Sequence, residues 1–313
     1  MLFSLNRRKE LFLFVTMKYI FMLLLSGLIA CSSQPESGHE TFWGHHFAFA
    51  KDIAYGQEPQ QKLDIWFQGQ WIGEPTYWKT DTLAHPTLVY IHGGGWLGGS
   101  KDGIMPFILP YLERGYNVVT LDYRVGEASA PAAVDDCMMA LKWLQKESNN
   151  YSVDPQNIIL SGESAGGHLA LISGLLNAIP GSHPYYIGDK LKITAIINWF
   201  GITDIAGIHH FFADKGEPEN YASIWSGGVQ RMDSISAIYS PLHRVSAQSP
   251  AVISIHGQKD SVVPHEQAVK LHQLLSEHGV KNQLLSIPEG KHLGFNEKDF
   301  QMIYTNVFDF IGR

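Results

Sequence analysis

Three stretches of this 313-residue chain carry residue types whose spacing could do nucleophilic chemistry. Gly162-Glu163-Ser164-Ala165-Gly166 has the form G-x-S-x-G. On a tight strand-to-helix turn this pattern exposes the serine hydroxyl, lets neighbouring backbone approach the glycines, and sets free helix N-terminal N–H groups beside the hydroxyl. His92-Gly93-Gly94-Gly95-Trp96 is the second stretch. Successive glycines permit backbone conformations that aim consecutive N–H groups at one point, which a developing oxyanion requires. Gly94, Gly95 and Ala165 are the expected donors. A phosphate-binding loop is the competing reading, but no Lys-Ser/Thr helix start follows and no G-x-G-x-x-G forms. His92 itself reads as a residue that holds the loop. The third stretch is a pair in chain order, Asp260 and then His292, each placed just past an apolar strand pattern. His292 would take the Ser164 proton and Asp260 would orient the imidazole. Asp204 is the rival acid; His256, His265 and His168 are rival bases that read as structural. The adjacent pairs His45-His46 and His209-His210 lack the spacing and partners of a metal site, and no metal or other cofactor is expected.

These residues need a scaffold that brings four loops to one edge. Apolar runs over 64–67, 87–92, 117–123, 158–162, 193–200, 252–256 and 283–287 read as strands, and most are continuous enough to be covered on both faces. Helical patterns occupy 131–146, 165–176, 265–278 and 298–311. Strand and helix in turn predict an α/β fold with a mostly parallel central sheet and helices on both faces. One domain is expected over 49–313. Residues 203–244 lack clean periodicity and read as a small insertion over the site.

The chain is 45% hydrophobic and 17% charged, a globular composition, with 23 Lys and Arg against 30 Asp and Glu. A net charge of −7 argues against nucleic-acid binding, which rests largely on neutralising phosphates. With two cysteines, Cys31 and Cys137, neither a disulfide framework nor a cysteine-built zinc site is available. Cys137 falls in the apolar stripe of Val134, Met138, Leu141 and Leu144 and reads as a core thiol. Residues 1–30 have a basic start and an apolar stretch, from Met1 or from a second start at Met17. They end in Leu28-Ile29-Ala30-Cys31, which resembles the bacterial lipobox. That resemblance implies a lipoprotein signal peptide over 1–30, lipidation of Cys31 and a tether over 31–48. The protein would then be anchored in the cell envelope, facing the periplasm from the outer membrane. An uncleaved membrane helix and ordinary secretory cleavage are the alternatives.

The glycine loop, the elbow and several further stretches, among them Gln61-Lys62-Leu63-Asp64-Ile65, 121–124, 135–144, 200–204 and 249–264, resemble α/β-hydrolase esterases of the hormone-sensitive-lipase-like group. The similarity is greatest to the branch of bifunctional feruloyl and acetyl-xylan esterases. It implies a serine carboxylic-ester hydrolase of small acyl esters, acetylated or feruloylated sugars among them. Glu163 departs from the Asp that many of these esterases have before the nucleophile. An arylformamidase-like amidase and a non-catalytic binding protein on a hydrolase fold are the alternatives. Trp96 and Trp225 could stack a sugar ring, or wall an apolar pocket.

Overall fold

The computed structural model describes residues 47–71, 78–80 and 83–312. The N-terminal address and Cys31 lie outside the described residues. No helix among the described residues is long and apolar enough to cross a membrane.

The described strands are β1 (Phe47–Ala54), β2 (Lys62–Trp71), β3 (Trp78–Thr80), β4 (His85–Ile91), β5 (Asn117–Leu121), β6 (Val153–Glu163), β7 (Ile193–Trp199), β8 (Ala251–Gly257) and β9 (Asn282–Ile287). They form one sheet in the order β1-β2-β5-β4-β6-β7-β8-β9, with β3 paired to β2. The β1–β2 and β2–β5 pairs are antiparallel. From β5 across to β9 every pair is parallel. This is the α/β-hydrolase fold, a mostly parallel sheet flanked by helices.

The continuous apolar strand runs have a direct cause: both faces of the sheet are covered. On β4, Val89 and Ile91 join the core on one face, while Leu88 and Tyr90 join the core on the other. On β6, Ile158 and Leu160 divide from Ile159 in the same way. Helices α2 (Ala130–Glu147), α3 (Ala165–Asn177) and α7 (Glu266–Glu277) send apolar side chains into the first core, Cys137 among them. Helices α1 (Met105–Leu112) and α8 (Glu297–Ile311) supply the second. Residues 203–244, expected to be irregular, instead hold three helices between β7 and β8: α4 (Ile205–Ala213), α5 (Tyr221–Ser226) and α6 (Val229–Tyr239).

Parallel strands place their C-terminal ends along one edge, so the loops after β4, β6, β8 and β9 meet there. Two buried ionic clusters fix the antiparallel side against this edge. Lys101 Nζ lies 2.8 Å from Asp52 Oδ1 and 2.9 Å from Asp64 Oδ1, while the Lys101 N–H donates to Asp122 Oδ1 at 2.6 Å. Burial pulls the Lys101 ammonium down, but its bonds to Asp52 and Asp64 outweigh that and raise it above its ordinary value. Arg124, just past β5, grips Asp136 of α2 with Nε and Nη2, and its own N–H donates to Asp136 Oδ2 at 2.8 Å. Planar two-point pairing of this kind fixes direction as well as distance.

Candidate active site

Ser164 sits at the junction of β6 and α3 with φ 55° and ψ −119°, a strained conformation for a side-chain-bearing residue. The flanking glycines make that turn possible. A Cβ on Gly166 would lie 2.0 Å from the Ile91 carbonyl oxygen, and one on Gly162 would lie 2.5 Å from backbone atoms of Gly166. The turn is held from the neighbouring strand by the Ser164 N–H, which donates to the Trp199 carbonyl at 2.9 Å.

The structure brings Ser164, His292 and Asp260 together from three loops. His292 Nε2 lies 3.0 Å from Ser164 Oγ, and His292 Nδ1 lies 2.8 Å from Asp260 Oδ2. An ionised carboxylate only accepts, so Nδ1 carries the proton and Nε2 is left to receive one from the serine. The second Asp260 oxygen accepts from the N–H groups of Val262 and Val263 at 2.8 and 2.9 Å. Burial alone would raise the Asp260 carboxyl. Hydrogen bonds from His256, His292 and the Val263 N–H instead hold it well below the ordinary carboxylate range. The acid therefore stays ionised wherever the imidazole can act as a base.

The glycine loop approaches from the other side. The Gly93 N–H is already used: it donates to Glu163 Oε1 at 2.7 Å. Among the described residues the N–H groups of Gly94, Gly95 and Ala165 have no such acceptor. Gly94 adopts φ +109°, and a Cβ there would lie 2.3 Å from the Gly98 carbonyl oxygen, so only glycine fits the bend. His92 Nδ1 bonds the Gly93 carbonyl at 2.7 Å, and its ring stacks on Tyr123 with centroids 4.4 Å apart. These contacts hold the loop and leave His92 away from Ser164.

The rivals have other partners. Asp204 caps α4 by accepting from the Gly207 N–H at 3.0 Å. His168, on α3, bonds the Tyr239 carbonyl through Nε2 at 2.9 Å and accepts from the Trp96 indole N–H at 3.2 Å. Burial lowers it to about 4, so it is a neutral structural group. His265 meets Ser286 Oγ at 2.9 Å. His209 meets Asn220, and no cluster of three or more metal-ligating side chains occurs among the described residues. His45 and His46 lie outside the described residues. Trp96 and Trp225 are fully buried and stacked on each other at 4.2 Å, so neither is open to a sugar ring.

Sequence reasoning named two further residues without their contacts. Glu163 ties the elbow to the glycine loop; burial raises its carboxyl, against the Tyr90 hydroxyl beside it and the Gly93 N–H. His256, buried in β8, places Nε2 2.8 Å from the Val263 carbonyl and 3.4 Å from Asp260 Oδ2. A cavity of about 310 Å³ adjoins Gly93, Gly94 and Glu163 and is also lined by His92, Ser100, Asp102 and Phe107.

The chain is similar to known proteins along most of its length. It is 26% identical over 236 residues to a Mycobacterium tuberculosis protein named Esterase LipC, covering 71% of this chain and 54% of that one. It is 26% identical to the Escherichia coli K12 protein YfhR over 280 residues, covering 85% and 86% of the two chains. The chain spans between half and two thirds of the length of the three mycobacterial relatives it matches. Among solved structures, a truncated carbohydrate esterase from gut microbiota superposes with a TM-score of 0.68 at 23% identity, covering 85% of this chain and 97% of that one. Esterase B from Lactobacillus rhamnosis gives 0.67 at 18% identity, covering 97% of each chain. Both structural likenesses speak for the shared fold. The BD-FAE family model matches residues 76–275 and takes in the glycine loop, the elbow and Asp260. A match of that extent, more than half of the chain, makes this protein a member of the BD-FAE family.

Proposed function

We propose that the protein is a serine carboxylic-ester hydrolase that acts on small acyl esters, acyl groups carried on sugars included. The observation that carries this reading is the unbroken relay from Ser164 Oγ through His292 to Asp260, next to a glycine loop and helix start whose Gly94, Gly95 and Ala165 N–H groups have no acceptor among the described residues. Ser164 Oγ attacks the acyl carbon as His292 Nε2 takes its proton. The oxyanion forms among the N–H groups of Gly94, Gly95 and Ala165, each worth on the order of 10²–10³ in rate in such a site. The imidazolium, stabilised by ionised Asp260, protonates the leaving alcohol, and water repeats the route on the acyl-enzyme. The names borne by LipC and by the gut-microbiota carbohydrate esterase are consistent with this chemistry. We further propose that Cys31 is acylated and anchors the protein in a bacterial envelope, on the strength of the Leu28-Ile29-Ala30-Cys31 sequence.

A fluorophosphonate probe tests the enzyme reading, because it bonds only to a serine activated in this way. One equivalent of label at Ser164 is expected, with none on a folded Ser164→Ala protein. Label at a different serine would overturn the assignment.

A further inference from the structure

The inserted helices reach the catalytic machinery through Tyr221, the first residue of α5. Asn220 before it caps that helix. Its Oδ1 accepts from the N–H groups of Ala222 and Ser223, while Ser223 Oγ accepts from the Asn220 N–H at 3.0 Å. This reciprocal cap fixes where the Tyr221 side chain leaves the backbone. The ring then meets Phe212 of α4 edge to face, with centroids 5.4 Å apart, and lies 5.8 Å from the Trp96 ring. It also rests against the glycine loop, since a Cβ on Gly95 would sit 3.5 Å from Tyr221 Cβ and 3.6 Å from its Cγ. A ring packed in this way has little freedom to swing.

The hydroxyl at the far end of that ring reaches the turn that carries the acid. It donates to the Val262 carbonyl at 3.2 Å. That carbonyl and the Val263 N–H belong to one planar peptide group. The Val263 N–H in turn donates to Asp260 Oδ1 at 2.9 Å. Planarity couples the two bonds: holding the carbonyl also sets the direction of the N–H. A donor on the carbonyl further polarises the peptide and strengthens its N–H. Beyond Asp260 the chain of bonds runs through Oδ2 to His292 Nδ1 at 2.8 Å, and from His292 Nε2 to Ser164 Oγ at 3.0 Å.

We propose that Tyr221 is a positioning residue. Through the peptide between Val262 and Val263 its hydroxyl orients the Asp260 carboxylate, and its ring keeps that turn in register with Gly95. The glycine loop and the acid come from stretches far apart in sequence, and the inserted helix spans them. The inference rests on the esterase reading above and adds to it a residue that acts through the acid.

Tyr221→Phe tests it, because it removes the hydroxyl and keeps the ring. Steady-state rates are compared for wild type and variant on p-nitrophenyl acetate, butyrate and hexanoate. Acylation and deacylation both pass through His292, so the loss should fall on kcat whichever step limits. The expected kcat is about fivefold lower, by the same factor for each ester and with KM within about twofold, as loss of one hydrogen bond gives. The second measurement is the proton NMR signal of His292 Nδ1–H, assigned by its absence from a His292→Gln protein. A reoriented carboxylate should displace that signal in Tyr221→Phe. An unchanged kcat, or a lower kcat with the signal unmoved, would overturn the role. So would a KM that rises with acyl length at constant kcat, which is the mark of a pocket wall. Wild-type protein that releases no p-nitrophenol from any of these esters would instead overturn the esterase reading, while the NMR signal would still report whether Tyr221 orients Asp260.

Discussion

Asp260 gives the most direct residue-scale prediction. Its carboxylate fixes which His292 nitrogen carries the proton. Asp260→Asn keeps the shape but presents an amide that can favour the wrong tautomer, and kcat should fall on the order of 10⁴. Asp204→Asn should change kcat only a few-fold, because Asp204 caps a helix. A steady-state comparison of the two variants decides the matter; a large loss at Asp204 alone would mean the acid comes from the wrong strand end. Ser164, Asp260 and His292 were legible as candidates because each follows an apolar strand run, and parallel strands deliver such positions to one edge. Glu163 was legible as a residue type but not as a tie to Gly93, 70 positions away in sequence. His256 was equally hidden: a histidine inside a strand shows nothing of the carboxylate that the turn after it folds back. For Trp96 and Trp225 the sequence left two uses open. The structure leaves neither sugar stacking nor an open pocket wall, since each ring fills the space against the other.

The sheet and the long helices were readable because their apolar periods are unbroken. The shorter helices were not. Met105–Leu112 is apolar almost throughout and contains two prolines, so no face stands out, although it packs beneath the cavity wall. Helices α4 and α5 are nine and six residues long and owe their starts to the Asp204 and Asn220 side chains rather than to a repeating stripe. What joins these elements is polar and therefore testable. Lys101 neutralises Asp64, which is 1% exposed. Lys101→Met leaves that carboxylate buried beside only the exposed Asp52 and should destabilise the fold by about 3–5 kcal/mol, read as a lower denaturant midpoint. His168 joins α3 to the end of α6 and to the glycine loop. The unfolded chain takes up a proton there near 6.5 that the folded chain refuses until about 4. Stability from this group is therefore complete above pH 6.5 and lost as pH falls toward 4, on the order of 3 kcal/mol in all. Melting temperatures measured from pH 7.5 to 4.5 should show this slope, and His168→Gln should flatten it. An unchanged slope would place the acid sensitivity elsewhere.

At the scale of the whole molecule, the proposed anchor separates from the proposed catalysis. Two or more acyl chains on Cys31 would suffice for stable membrane attachment without any protein surface entering lipid. Cys31→Ser should move the protein from the membrane fraction to the soluble one with kcat/KM unchanged, and an alkyne palmitate analogue should label the wild-type residue alone. Retention of the Cys31→Ser protein on the membrane would favour an uncleaved helix. The second thiol of the chain has a different use. Cys137 is 1% exposed, unpaired, and its thiol is pushed up by burial, so a thiol reagent finds neither access nor a thiolate in the native state. Alkylation at this position must wait for the core between α2 and the sheet to open. Its rate, set against that of a free cysteine, counts how often the molecule breathes. The protein thus carries its own internal clock for stability, readable by mass spectrometry in crude extracts and without substrate.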